Sequence, residues 1–274
     1  MDLWFTEKQT AGVGLTCKVR RTLHSETTPF QTLDVIETEE FGRMLVLDGM
    51  VQTTERDEFV YHEMIAHIAM QTHPNPERVA VIGGGDGGAV REVLKYRSVK
   101  EVRLIEIDER VVEASRSYFP TLSQGLGDPR VTCLYVDGIE HVKNNPQTYD
   151  VILIDSTEPV GPAIGLFEQP FYNSVFNSLT EHGVMVAQTE SPFFNGDILK
   201  KAFSAVRATF PISRLYLASI PTYPSGLWSF TIGSKSVDPL KAQVSLAGIE
   251  TRYFTEGIHK SAFELPKFVQ ALVG

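Results

Sequence analysis

The chain has 274 residues, with 34 acidic side chains against 25 lysines and arginines and a formal charge of −9. This length can hold one large α/β unit plus a small appendage. The negative balance argues against general nucleic-acid binding and suits cationic ligands. No apolar run approaches a membrane span, and the start (Met1-Asp2-Leu3-Trp4-Phe5-Thr6-Glu7) lacks the basic and long-apolar pattern of a secretion signal. A cytoplasmic protein is therefore expected. Cys17 and Cys133 have no partners at metal spacing and fit reduced structural thiols.

Up to about Thr54 the chain reads as short strands and turns. Thr16–Leu23, Thr32–Thr38 and Met44–Leu47 are rich in β-branched or apolar residues, and Asp48-Gly49 signals a hairpin turn. Together they predict a small antiparallel β domain over residues 1–54, with a second, larger domain in residues 55–274. Gln31 precedes the second of these strands and Gln52 follows the hairpin turn; the pattern alone marks neither as a ligand contact. Asp57 then reads as the N-cap of a helix carried by Val60, Tyr61, Met64, Ile65, Ile68 and Ala69 and closed by His73-Pro74. In its first turn Tyr61 reads as core and His62 as an exposed or satisfied histidine, unless closeness to the next motif makes them substrate contacts.

That motif organises the chain. An apolar strand (Val79–Ile82) runs into Gly83-Gly84-Gly85-Asp86-Gly87-Gly88, followed by a helix-like segment through Leu94 and a second strand, Val102–Ile107. Strand, glycine turn, helix and strand form the βαβ unit that winds nucleoside-binding parallel sheets. Glu106 lies 18 residues past Gly88, near the spacing at which an acidic residue accepts both ribose hydroxyls. Asp86 is unusual there, because a helix N-terminus favours anions. Its carboxylate would repel a pyrophosphate or an amino-acid carboxylate and attract a cation; the alternative is a helix cap.

A helix is expected over Glu109–Tyr118, then a strand over Arg130–Val136 ending at Asp137-Gly138, and a helix over Ile139–Asn144. Asp137 could accept the exocyclic amine of adenine, cap the helix, or do both. The strand Tyr149–Ile154 ends in Asp155-Ser156-Thr157-Glu158-Pro159-Val160-Gly161-Pro162, a stiff loop expected as a lid at the carboxyl edge of the sheet. A helix (Pro170–Leu179), a strand (Val184–Gln188) and a helix (Gly196–Phe210) follow. Ile212–Ile220 and Trp228–Ile232 predict an antiparallel hairpin around Pro221-Thr222-Tyr223-Pro224-Ser225-Gly226, and Phe263–Val273 a last helix. The expected class is α/β: a Rossmann-like, mostly parallel sheet behind a small antiparallel one.

Five carboxylates fall at strand ends or turns: Asp86, Glu106, Asp137, Asp155 and Glu158. Glu106 and Asp137 suit the hydroxyls and base of an adenosine. The others would face a positively charged side arm and a positively charged second substrate. Divalent metal binding ranks lower, since carboxylates spread over four strand ends surround a nucleoside more naturally than one ion. No GxxxxGK[ST] phosphate loop is present. An alkylammonium nucleophile has a pKa of about 10.4 and needs a base within reach, for which Asp155 is the candidate.

Four long motifs give a further reading: residues 47–58 (Leu47-Asp48-Gly49 through Asp57-Glu58), the glycine turn 83–88, the loop 155–162 and the loop 221–226. In these the chain resembles the polyamine aminopropyltransferases, the family that includes spermidine synthases, over nearly its whole length. The resemblance implies a methyltransferase-type α/β domain behind a small N-terminal β domain, assembled as dimers or tetramers. It implies transfer of the aminopropyl group of decarboxylated S-adenosylmethionine to putrescine, with no resident cofactor and no metal. It makes Asp155 the proton acceptor. It gives the nucleoside to Gln31, Glu106, Asp137, Gly138 and Pro162, and the aminopropyl ammonium to Asp86. The diamine falls to Tyr61, His62, Asp155, Ser156, Thr157, Glu158, Gln188 and Tyr223, with Asp86 beside them. Glu158 stands where many members have Asp, and His62 where some have Gln; both bear on the choice of amine. Two rival functions share the fold or the pocket. An S-adenosylmethionine-dependent amine N-methyltransferase conflicts with Asp86, which would sit near the donor's carboxylate. A catalytically idle polyamine-binding protein conflicts with the retained Asp155 and its proline-glycine loop.

Overall fold

Period-two alternation dictates the first sheet. Leu33 and Val35 on β3 (Thr32–Thr38) and Leu45 and Leu47 on β4 (Arg43–Leu47) share one buried face, while Ile36, Met44 and Val46 share the other. With β1 (Leu3–Lys8), β2 (Gly14–Thr27) and β5 (Met50–Thr54) they make a five-stranded antiparallel sheet in sequence order. The sequence reading had no separate β1 or β5, and β2 is longer than the expected Thr16–Leu23. The computed structural model describes residues 2–157 and 161–274.

The second sheet has seven strands in the order β11-β12-β10-β9-β6-β7-β8, with β6 (Arg78–Gly83), β7 (Glu101–Glu106), β8 (Val131–Tyr135), β9 (Tyr149–Asp155), β10 (Leu179–Gln188), β11 (Ile212–Ser219) and β12 (Leu227–Ser234). β6 to β10 pair in parallel, and β12 runs antiparallel between β10 and β11. The parallel strands are continuously apolar because both faces are covered. Val79, Val81, Val102, Leu104, Val151 and Leu153 pack with α1 (Glu58–Thr72) and α2 (Gly88–Val93). Ala80, Ile82, Ile105, Ile152 and Ile154 pack with α5 (Gly138–Lys143), α6 (Gln169–Ser178) and α7 (Gly196–Thr209). Between β7 and β8 lie α3 (Glu109–Tyr118) and α4 (Pro120–Ser123). They pack Val111, Ala114, Phe119 and Leu122 on the Leu33 face of the first sheet.

The chain moves outward from β6 through β7 to β8, then returns to place β9 on the other side of β6. That reversal opens a crevice at the carboxyl ends of β6 and β9, where α/β sheets hold ligands. Pairing brings Gly83 opposite Asp155.

Two local expectations are corrected. Asp57 occupies the position before α1, yet its side chain makes no cap bond. Its carboxylate accepts from Thr54 Oγ1 (2.5 Å), Thr222 N (3.0 Å) and Thr222 Oγ1 (2.7 Å), tying the first sheet to the loop after β11. The final segment is two short helices, α8 (Glu256–Ser261) and α9 (Lys267–Val273). Thr255 caps the first, and Pro266, which has no N–H to continue a helix, precedes the second. Among the described residues no helix is long and apolar enough to cross a membrane.

Candidate active site

One cavity occupies the crevice, walled by the first sheet (Leu45, Leu47, Met50, Val51), the glycine turn, and the ends of β7 and β9. Of the described residues expected at the site, Gln31, Tyr61, His62, Asp86, Glu106, Asp137, Gly138, Asp155, Ser156, Thr157, Gln188 and Tyr223 all line it. Glu158 lies outside the described residues, and so do Pro159 and Val160 of the expected lid. Pro162 falls in the short 3-10 segment Gly161–Phe167. No lysine or arginine lines the cavity among the described residues, nor do they include a group of three or more residues able to hold a metal.

The glycines of the turn make room for side chains as well as for a ligand. Gly84 has φ +66°, and a Cβ there would stand 2.6 Å from Asp155 Oδ2. A Cβ on Gly88 would collide with the His62 ring. The turn is thus shaped around two of the candidate residues.

Asp155 Oδ1 accepts a 2.6 Å hydrogen bond from the Tyr61 hydroxyl. Its other oxygen is buried without a partner among the described residues, as are Ser156 Oγ and Trp228 Nε1, and all three residues line the cavity. Buried polar atoms are normally satisfied, so three unsatisfied ones on residues that line one cavity fit a wall that receives a polar ligand. Burial, then the charge of Asp86, push the Asp155 carboxyl up to about 6, against the pull of His62 and Tyr61. Burial and the same carboxylate drive the Tyr61 phenol well above its ordinary range, so it is a donor.

Asp86 is 9% exposed. Its Oδ1 accepts from N of Gly88, the first residue of α2, at 2.7 Å, though the N-cap position itself is Gly87, while Oδ2 stands 3.2 Å from His62 Nε2. His62 is buried rather than exposed, and its Nδ1 lies 2.7 Å from Glu58 Oε2. Burial lowers the pKa of the ring, but Asp86 and Glu58 overcome it and hold the imidazole well above its ordinary value.

At the other end, Glu106 Oε1 accepts from Asp108 N (3.0 Å). Burial, with a further push from Asp108, raises its carboxyl to about 7 despite backbone donors. Gln31 Nε2 donates to Asp108 Oδ2 (3.0 Å), which also accepts from Thr28 Oγ1 (2.7 Å). With its amide nitrogen so engaged, Gln31 can turn its carbonyl toward a ligand. Asp137 Oδ1 caps α5 through Ile139 N (2.7 Å), and a Cβ on Gly138 would stand 2.5 Å from Ile82 Cγ2.

Gln188 Nε2 donates to the carbonyls of Ser156 (3.1 Å) and Thr157 (3.3 Å), bracing the chain after Asp155. The Tyr223 hydroxyl donates to Gln52 O (2.6 Å), joining the 221–226 loop to β5. The sequence reading missed the supporting residues Glu58, Arg91 and Asp108 and the wall residues Gln52 and Trp228. Spacing held one clue, since Glu58 stands four residues before His62, on the same helix face.

Residues 58–242 match the spermine/spermidine synthase domain, and residues 3–55 match the spermidine synthase tetramerisation domain. The chain is 56% identical to a polyamine aminopropyltransferase of Bacillus mycoides over 274 residues, covering all of both chains. It is 55% identical to one from Caldicellulosiruptor bescii, covering 100% of this chain and 99% of the relative. A spermidine synthase crystallised with the transition-state analogue AdoDATO superposes with a TM-score of 0.97 at 42% identity, over 99% of this chain and 94% of that one. Spermidine synthase from Thermotoga maritima gives 0.95 at 42% identity, with the same coverage of both chains.

Proposed function

We infer the reaction from one premise: the chain belongs to the spermine/spermidine synthase family and is an aminopropyltransferase. It transfers the aminopropyl group of decarboxylated S-adenosylmethionine to putrescine, giving spermidine and methylthioadenosine. The observation that carries this reading is the pair of carboxylates, buried Asp86 and half-buried Asp155, in a cavity lined by no described lysine or arginine. Two carboxylates on one cavity, with His62 against only one of them, favour cationic ligands there.

The nucleoside lies between Glu106 and Gln31, which accept from the ribose hydroxyls, and Asp137, which accepts from the adenine amine; Gly138 and Pro162 flank the base. Asp86 receives the aminopropyl ammonium. The diamine enters past Tyr61, His62, Ser156, Thr157, Gln188 and Tyr223. The free oxygen of Asp155 takes a proton from the attacking ammonium. The freed amine attacks the carbon next to the sulfonium, the C–S bond breaks, and its electron pair stays on sulfur as a neutral thioether. Binding supplies orientation, and the carboxylates stabilise the charge that moves from sulfur to nitrogen. No resident cofactor enters this scheme.

Assembly as a dimer or tetramer is part of the same reading. The matched tetramerisation domain begins with β1, an edge strand of its sheet, with Leu3 and Trp4 more than half exposed. A cytoplasmic compartment suits the two free cysteines. The test is incubation with decarboxylated S-adenosylmethionine and a panel of amines, with products identified by mass. Spermidine from putrescine supports the reading. Methylated amine from intact S-adenosylmethionine would replace it with the methyltransferase alternative.

A further inference from the structure

We infer that Glu58 and Arg91 are positioning residues of the donor site, holding the His62 ring so that it fixes the Asp86 carboxylate. The inference rests on the proposed role of Asp86 toward the donor's ammonium. Arg91, on α2, binds both oxygens of Glu58 (Nη1 to Oε1 3.1 Å, Nη2 to Oε2 2.8 Å) and places Nε 2.9 Å from Glu92 Oε1. Glu58 in turn meets His62 Nδ1, and His62 Nε2 meets Asp86 Oδ2. The side chains of Glu58 and His62 are 4% and 2% exposed, so the chain of contacts runs through the interior, from the back of α1 to the cavity.

A carboxylate oxygen only accepts, so a ring flanked by two carboxylates makes both contacts only when both nitrogens carry hydrogen. A neutral ring would turn a lone pair toward one of them. The groups facing His62 all favour the doubly protonated form: Glu58 from α1, Asp86 from the turn and Asp155 from β9. Arg91 reaches the ring only through Glu58, and Tyr61 stands edge-on to it at 5.4 Å between centroids. With both nitrogens engaged, His62 has no acceptor left for a substrate ammonium and cannot act as a base. Its work is to keep Asp86 from turning. Gly88 N holds one Asp86 oxygen and His62 the other, leaving the remaining lone pairs for the donor. A fixed acceptor loses less freedom on binding than a mobile one.

The test is Glu58→Gln, which keeps an acceptor for Nδ1 but removes the charge that favours the second ring proton. In the wild type, nitrogen-15 NMR of labelled histidine should show His62 still protonated at both nitrogens at pH values where an ordinary imidazole has lost its second proton. In Glu58→Gln the second proton should be lost at a lower pH than in the wild type. Above the new midpoint the KM for the nucleoside donor should rise several-fold to a plateau, with kcat changing less than about twofold. Glu58→Ala should move both readouts the same way, and it serves where Glu58→Gln fails to fold; Arg91→Met removes a cation and leaves Glu58 charged, so the ring should stay doubly protonated while the KM rises through the lost hold on Glu58. A neutral His62 in the wild type, or variant KM profiles that superpose on the wild type, overturns the inference. A wild type that makes no aminopropyl product fails the functional reading instead, and the histidine signal still judges the ring separately.

Discussion

Replacing Tyr61 with phenylalanine removes one hydroxyl and leaves the ring packed against Tyr223 and Phe230, at 5.5 and 5.3 Å between centroids. The lost group is the only hydrogen-bond donor to the Asp155 carboxylate among the described residues, at 2.6 Å. A hydrogen bond to a charged group contributes about 1.5–3 kcal/mol, and 1.36 kcal/mol is one pKa unit, so Asp155 should rise by about one to two units. Burial and Asp86 already hold it up at about 6. The base must be ionised, so activity is lost as pH falls through its pKa. At pH 7 the ionised fraction should drop from about nine-tenths to between about a half and a tenth. The assay is the pH profile of kcat/KM for putrescine in both enzymes. The ammonium's own ionisation enters both profiles equally, so their difference isolates Asp155. An acid limb displaced upward by about one to two units fits the argument. An unmoved limb, or one displaced downward, refutes it.

Glu106→Gln should stabilise the ligand-free protein while weakening nucleoside binding. The folded Glu106 carboxyl sits at about 7 against an ordinary 4.5, with burial as the chief cause. Its charge therefore costs stability above pH 7, and the cost fades as pH falls toward 4.5. The full shift corresponds to about 3 kcal/mol, so a gain of about 1–3 kcal/mol, or roughly 2–10 °C in Tm, is expected at pH 8, with none at pH 4.5. Calorimetric melting at both pH values checks the sign; a loss at pH 8 would contradict it. Asp155→Asn should retain methylthioadenosine binding within about threefold and lose about 10²–10⁴ in kcat. Wild-type turnover would remove Asp155 from the base role.

The sequence disclosed the parts of this site carried by local chemistry. The Gly83–Gly88 turn, the acidic residue 18 positions beyond it and Asp-Gly at residues 137–138 each stand at the carboxyl end of a strand, and strand ends in a parallel sheet converge. Their alignment was not legible, because Gly83 meets Asp155 only through the β6–β9 pairing, set by the order of seven strands. His62 shows the limit most clearly. On its helix it reads as exposed or satisfied, yet α1 is buried nearly all round, and the ring is fixed by one residue of its own helix and one of a distant turn. Asp57 fails as a cap for a related reason: Thr222, 165 residues away, competes for the carboxylate and wins. The break before α9 was visible as Pro266 but lay inside an apolar run that read as one helix.

The central claim is that buried negative charge selects a donor whose side arm is purely cationic. Titration calorimetry with decarboxylated and intact S-adenosylmethionine tests it most directly, on the wild type and on Asp86→Asn. A charge pair at about 4 Å is worth roughly 4 kcal/mol at an effective dielectric of about 20, before desolvation is subtracted. The wild type should therefore prefer the decarboxylated donor by about 100-fold or more, and Asp86→Asn should narrow the gap to within about tenfold. Equal affinity of the wild type for the two donors would contradict the account.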